Sequence, residues 1–199
     1  MNIENLLKFL PTDSGVFFEA GANDGIFQSY TYILESHFGW TGVLVEPSLS
    51  AFERCKSNRP NSLCLNLALT DDINTTEIWG DFDGHPMGSV DGRRLSRNPS
   101  VKVQATTLTD IFDTHFENIE VDLISIDVEN YELSVLKGMD FNKHKPKYIL
   151  IEIYSETFEQ VDELLKKNGY GLISCITGFS HQTHPNWDGT HNDYLYKLL

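Results

Sequence analysis

One stretch, "VFFEAGANDGIFQSY" at residues 16 to 30, limits what this chain can fold into more than any other. A run of strand formers stops at a turn holding Gly21 and Gly25, and helical periodicity follows at once. The spacing predicts a strand over "GVFFEAG" and a helix over "IFQSYTYILESHF", with Ile26, Tyr30, Ile33, Leu34 and Phe38 toward one face. A strand that feeds a helix through a tight glycine turn is the opening unit of a parallel α/β sheet. In such sheets ligands bind beyond the carboxyl ends of the strands.

The remaining chain repeats the alternation. "GVLVEP" reads as a second strand stopped by Pro47, with Ser48 as N-cap of the helix "LSAFERCKSN", and "NSLCLNLALT" as a third strand. "VKVQATT" is a short strand, and "LTDIFDTHF" a short helix capped by Thr107. Strand "VDLISIDV", helix "YELSVLKGM" ending near Gly138, and strand "PKYILIEI" come next. In the helix "ETFEQVDELLKKNGY", Phe158, Val161, Leu164 and Leu165 share a face, and Asn168-Gly169 supplies the stop. "GLISCI" and "DYLYKLL" close the chain as an antiparallel edge hairpin. Nearly continuous apolar strands predict an α/β fold, a mostly parallel sheet with helices on both faces. No repeat or linker interrupts it, so residues 1–199 read as a single domain. Two irregular segments stand out: an insertion at about 71–100, with strand-like scraps such as "TEIW", and a histidine-rich C-terminal loop at about 177–192. Excursions of that length are usually functional.

Charge narrows the partners. Fifteen Lys and Arg against 29 Asp and Glu leave a net charge of −14. That balance repels polyphosphates, so nucleic acid and anionic membrane surfaces are not expected partners. The loop "GRRLSR" at 92 to 97 is the one basic candidate, read as solvated surface or as a clamp for a single carboxylate or phosphate. No apolar run approaches the ~20 residues of a bilayer span, and "MNIENLLKFLPTDSG" has neither a basic n-region nor a long apolar core. A cytoplasmic location is the expectation. Cys55, Cys64 and Cys175 are scattered and form no C-x-x-C pair, which suggests small buried or half-buried thiols. Nothing in the sequence bears on oligomeric state.

The topology puts Glu19 to Gly25, Glu46, Asn66 to Leu69, Asp127 to Asn130 and Glu152 on one rim. A dinucleotide turn, G-x-G-x-x-G, needs glycine where the pyrophosphate presses on the backbone. Asn23 stands there, where its side chain crowds a pyrophosphate and its amide suits a polar group such as an amino acid. Glu46, about 20 residues on, has the spacing of a ribose-binding carboxylate. A ribose without a pyrophosphate favours S-adenosylmethionine over NAD. Each residue also has a plainer use: the glycines close a tight connection, and Glu46 caps the next helix.

"FFEAGANDGIFQSYTYILESHFGWTGVLVEPSLSAFERCKSNRP" resembles the start of the FkbM family of S-adenosylmethionine-dependent methyltransferases, and "VDLISIDVENYELSVLKGMDF" is similar to that family's second block, D-x-E-G-x-E. The resemblance runs from about Gly15 to Tyr154 and implies a class I Rossmann-like methyltransferase fold with a seven-stranded sheet, acting on hydroxyl groups of sugars, glycans or natural products. The expected cofactor-binding set is Glu19, Gly21, Asn23, Asp24, Gly25, Glu46, Pro47, Asn66, Ala68 and Asp127. One departure is Asn130, which stands where the block usually has glycine.

Methyl transfer from a sulfonium is an in-line displacement, so positioning supplies much of the acceleration, and a hydroxyl nucleophile also needs a base. Asp127, Glu129 and Glu152 are the catalytic candidates. Asp127 is expected near the reaction centre and Glu129 as base or substrate anchor, both on one side if the strand stays extended; either acid equally serves as a helix cap. Glu152 completes a carboxylate cluster that suits Mg²⁺, although no metal is predicted. His85, His181, His184 and His191 are further candidate bases, and Trp79 and Trp187 are candidate sugar platforms. The strand "LISID" is not followed by the N-P-P-Y or D-P-P-Y of amine-directed enzymes, which favours an oxygen nucleophile. Two other readings stay open: an NAD-dependent oxidoreductase or epimerase, which would need glycine at position 23, and a catalytically silent cofactor-binding module. The central insertion and the C-terminal loop are expected to form the pocket of a small-molecule or glycan acceptor.

Overall fold

A computed structural model describes residues 3–11, 13–90, 92 and 94–199. Its centre is β1 (Val16–Ala20), buried on both sides. Parallel neighbours flank it: β2 (Thr41–Val45), entering with Val16 opposite Thr41, and β7 (Leu123–Ile126), with Phe17 opposite Leu123. Beyond β2 lies β3 (Leu63–Leu65), and beyond β7 lies β8 (Tyr148–Tyr154), both parallel. The order of the seven-stranded sheet is β3-β2-β1-β7-β8-β10-β9. The last strand, β10 (His191–Leu198), inserts antiparallel between β8 and β9 (Tyr170–Cys175), which makes β9 the edge. The chain therefore leaves β1 toward β3 and returns on the other side at β7. That reversal is where an open α/β sheet opens a crevice at its carboxyl edge.

Alternation along β1 sends Phe17 and Phe18, each fully buried, to opposite faces. Phe17 meets α1 (Ile3–Leu7) through Leu6, α2 (Tyr30–Phe38) through Leu34, and α3 (Leu49–Asn58) through Cys55, with Trp40 filling the layer. On the other face Phe18 meets α4 (Leu108–His115), α5 (Glu132–Lys137) and α6 (Phe158–Lys167) through Phe112, Leu136 and Leu165. The predicted two-faced α/β sheet is the observed one. Thr107 caps α4 in a full capping box with Asp110, as expected.

Three local expectations are corrected. The segment "NSLCLNLALT" is two strands, because β4 (Ala68–Leu69) leaves the main sheet. It pairs with β6 (Val101–Thr106), and β5 (Glu77–Gly80), the "TEIW" scrap, pairs antiparallel on the other side of β6. The insertion thus adds β5 to a small three-stranded sheet, β4-β6-β5, whose other two strands flank it. Helix α2 starts at Tyr30 instead of Ile26: Asp24 Oδ1 accepts the backbone N–H groups of Ile26 and Phe27 in a turn, and the Ser29 side chain caps the helix by accepting Tyr32 N–H. Ile26 and Phe27 are consequently exposed. Ser48 precedes α3 but makes no side-chain cap.

Candidate active site

The crevice at the carboxyl ends of β1, β2, β7 and β8 is a cavity lined by Gly21, Asn23, Glu46, Pro47, Asp127 and Glu152 among others. Its first wall is the glycine turn. Gly21 has φ +80, and a Cβ there would sit 1.7 Å from the Asp127 carbonyl oxygen. The residue is glycine because β7 passes directly beneath it. At Gly25, with φ +79, a Cβ would sit 2.7 Å from Arg59 Cγ and 3.0 Å from Cys55 Sγ, and the residue does not line the cavity. Both glycines are thus explained by neighbouring protein before any ligand. Asn23 occupies the left-handed region at φ 47, which asparagine tolerates better than most residues.

Glu46 ties this turn to the second strand. Its Oε2 accepts the Asn23 N–H and its Oε1 the Ser48 N–H, both at 2.8 Å, and burial pushes its pKa up to about 7 despite those bonds. Asn66 turns away from the crevice and donates to the backbone carbonyls of Glu46 and Pro47. Asp24 is held in its own turn and, like Asn66, does not line the cavity, whereas Ala68 does. Glu19 lines it only from below. It accepts from Ser29 and Thr31, and Arg59 Nη1 lies 3.6 Å away. Burial still raises its pKa, with Arg59 as the main opposing influence.

The acids at the ends of β7 and β8 are arranged differently from expectation. The extended chain stops at Ile126, and Glu129 and Asn130 take φ +56 and +75. Alternation therefore does not put Asp127 and Glu129 side by side. Glu129 stays on the cavity wall apart from that pairing, accepting from Tyr154 Oη at 2.9 Å and Arg94 Nε at 3.2 Å. The acid that joins Asp127 and Glu152 is Glu132, and one carboxylate oxygen from each of the three lies within 4.8 Å of the others. Burial raises all three pKa values, that of Glu132 to about 7 and that of Glu152 to about 11. Asp127, also repelled by Glu129 and Asp193, rises well above the usual carboxylate range. Asn130 keeps the left-handed backbone that a glycine would take there, and its Nδ2 donates to Glu156.

The upper wall comes from the two irregular segments. The insertion contributes Phe82, His85, Ser89 and Val90, and the C-terminal loop and β10 contribute Phe179, His191 and Asp193. Arg94 bridges the two segments, holding Asp188 at 2.8 Å as well as Glu129, with its guanidinium over the Tyr154 ring. The carboxylate clamp foreseen in "GRRLSR" thus closes on the protein's own acids. Arg97 pairs with Asp83, and Arg93 lies outside the described residues. His181 and His184 stack on Trp187 and Phe179 and do not line the cavity, and neither Trp79 nor Trp187 does.

These features, a glycine turn at the switch point with an acid at the end of the next strand, match a known domain: the model of the methyltransferase FkbM domain fits residues 19–172. The chain belongs to that family. It is an S-adenosylmethionine-dependent methyltransferase of class I Rossmann-like fold. No curated protein matches the sequence. Among solved structures, the chain is similar to precorrin-6y C5,15-methyltransferase from Geobacter metallireducens at 11% identity, over 98% of this chain and 86% of that one, with a TM-score of 0.52. Aeropyrum pernix fibrillarin with natively bound S-adenosyl-L-methionine aligns at 14% identity over 96% and 72%, with a TM-score of 0.53. TrmK of M. capricolum, in complex with S-adenosyl-homocysteine, aligns at 9% over 98% and 67%, with a TM-score of 0.56. At such identities the likeness is one of fold.

In this FkbM-domain chain, reasoning from sequence missed Glu132, Tyr154 and Asp193 as parts of the site. Glu132 had a signal, as the last acid of the D-x-E-G-x-E block. The other two are set by how the insertion and β10 fold back over the sheet, which local periodicity does not encode.

Proposed function

We propose that the chain is an O-methyltransferase that moves the methyl group of S-adenosylmethionine onto a hydroxyl of a sugar, glycan or natural-product acceptor, working in the cytoplasm as one domain. The single observation that carries this reading is the acid-rich floor at the ends of β7 and β8, with His191 above it. Asp127 and Glu152 both line the cavity, and His191 Nε2 is 3.4 Å from Glu152 Oε1. A hydroxyl loses its proton as it attacks, so its site needs a base that an already neutral amine needs less. The net charge of −14 also speaks against a nucleic-acid acceptor.

In this proposal the methionine end lies along the Gly21–Asn23 turn and the ribose hydroxyls donate to Glu46. The sulfonium faces Asp127, and the cation favours the ionised form that burial and the neighbouring acids oppose. The acceptor enters beneath Phe82, His85 and Phe179. Its oxygen attacks the methyl carbon in line as the carbon–sulfur bond breaks, S-adenosylhomocysteine leaves, and the hydroxyl proton passes to His191. Glu129, held by Tyr154 and Arg94, anchors a second acceptor hydroxyl. The test is transfer of labelled methyl from S-adenosylmethionine to a panel of sugars, glycans and phenols, with the product bond identified by mass spectrometry. A methyl ether is expected, with kcat falling about 10²- to 10⁴-fold in His191→Ala and cofactor affinity holding. Methylation at nitrogen or carbon would sink the reading, and cofactor binding with no turnover of any acceptor would favour a silent module.

A further inference from the structure

At the floor of the cavity, Asp127 and Glu152 line the space and Glu132 lies behind them, a trio whose arrangement methyl transfer does not by itself require. Asp127 follows β7, Glu132 opens α5, and Glu152 stands in β8, so three separate elements bring one carboxylate oxygen each to within 4.8 Å of the others. One of the three is fixed from behind. Glu132 is 2% exposed, and its Oε1 accepts the backbone N–H groups of Val128 and Asn130, both at 3.1 Å. Glu152 is 9% exposed; Oε1 faces His191, and Oε2 is buried with no hydrogen-bond partner among the described residues.

No lysine or arginine pairs with any of the three among the described residues. Arg94 is engaged by Glu129 and Asp188, and Arg59 by Glu19 and Glu35. Three carboxylates facing one another away from water repel strongly unless protons or a cation stand between them. The lone pairs of Glu152 Oε2 are a further debt that a neighbouring acid cannot meet without giving up a proton. Oxygens that share an ion at about 2.0–2.5 Å lie no more than about 5 Å apart, the spacing this trio has. The elements supplying the oxygens are a strand end, a helix start and a central strand, rigid supports for such a shell.

We propose that Asp127, Glu132 and Glu152 form a binding site for one divalent cation of the hard, oxygen-preferring class to which Mg²⁺ and Mn²⁺ belong. Three carboxylates with no sulfur ligand are the donor type that suits Mg²⁺, Ca²⁺ and Mn²⁺. The remaining positions of the ion open into the cavity, where they suit water or a pair of acceptor oxygens. A use as Lewis acid toward an acceptor hydroxyl rests on the O-methylation reading; the site itself does not.

The experiment is a titration of the full chain with Mn²⁺, following free Mn²⁺ by electron paramagnetic resonance with no acceptor present. One ion per chain is expected, displaced by excess Mg²⁺, with affinity roughly 10- to 100-fold weaker in Glu152→Gln and Glu132→Gln. Asp113→Asn, which alters an exposed acid paired with Lys143, should bind as the parent does. Glu152→Gln preserves shape and removes a repulsive charge, so its thermal melt and its binding of S-adenosylhomocysteine report that it is folded. If Glu132→Gln does not fold, the parent and Glu152→Gln decide the matter. Absence of saturable binding at millimolar Mn²⁺, or equal affinity in Glu152→Gln, overturns the site and means that the trio shares protons instead. Methyl ether formation without metal binding would overturn this inference and leave the O-methyltransferase reading standing.

Discussion

Glu46 shows how one side chain couples the glycine turn to the end of the second strand. Its carboxylate holds Asn23 and Ser48 by their backbone N–H groups, yet burial raises its pKa to about 7. A carboxyl with a raised folded-state pKa is most stabilising when protonated. Relative to Glu46→Gln, the parent should therefore lose stability as pH rises from about 4.5 to about 7, by up to ~3 kcal/mol, and then level off. Urea unfolding of both proteins across that range checks the sign. Ribose hydroxyls that donate to Glu46 favour its charged form, so affinity for S-adenosylhomocysteine should weaken as pH falls below about 7 and stay flat in Glu46→Gln. Binding calorimetry that gave parallel profiles for the two would remove Glu46 from the ribose. The position of Glu46 was legible from spacing alone, because the distance from a glycine turn to the end of the next strand is set by one helix. Its two backbone partners were not legible, since they depend on the left-handed φ of Asn23.

At the scale of elements, Arg59 is the least visible organiser. It follows α3, is 1% exposed, and reaches Glu35 of α2 at 2.7 Å, Glu19 of β1 at 3.6 Å and the Gly25 carbonyl at 3.0 Å. One guanidinium thus joins the glycine turn to the helices on either side of it. Replacing it by methionine leaves two buried acids without a cationic partner and should cost about 3–5 kcal/mol at neutral pH. The loss should shrink on acidification as Glu19, whose pKa burial raises, protonates, which denaturant melts at several pH values would detect; a loss independent of pH would contradict the charge account. From sequence, "KSNRP" reads only as a polar helix end, because a buried arginine differs from a solvated one by its surroundings alone. Strands β1, β2, β7 and β8 were legible for the opposite reason, since burial on both faces leaves unbroken apolar runs. The start of α2 and the break between β3 and β4 were misread where Asp24 and Asn66 bind backbone instead of solvent.

For the whole molecule, the sheet order places the crevice and the insertion roofs it. The family and its cofactor follow from the two central units that sequence patterns describe well, β1 to β2 and β7 to α5. The acceptor side was less legible because it is assembled from segments about a hundred residues apart: Arg94 from the insertion meets Asp188 from the C-terminal loop across Glu129. The acid trio illustrates the same limit. Periodicity pairs Asp127 with Glu129, but two left-handed residues hand Glu129 to Tyr154 and Arg94 and leave Glu132 in its place. The central claim is that this crevice seats S-adenosylmethionine with its reactive end over those acids. A crystal structure with S-adenosylhomocysteine tests it most directly. The account predicts ribose hydroxyls within hydrogen-bond reach of Glu46, the methionine end along Gly21 to Asn23, and the sulfur facing Asp127. A ligand seated elsewhere, or one whose sulfur points away from Asp127 and Glu152, would contradict it.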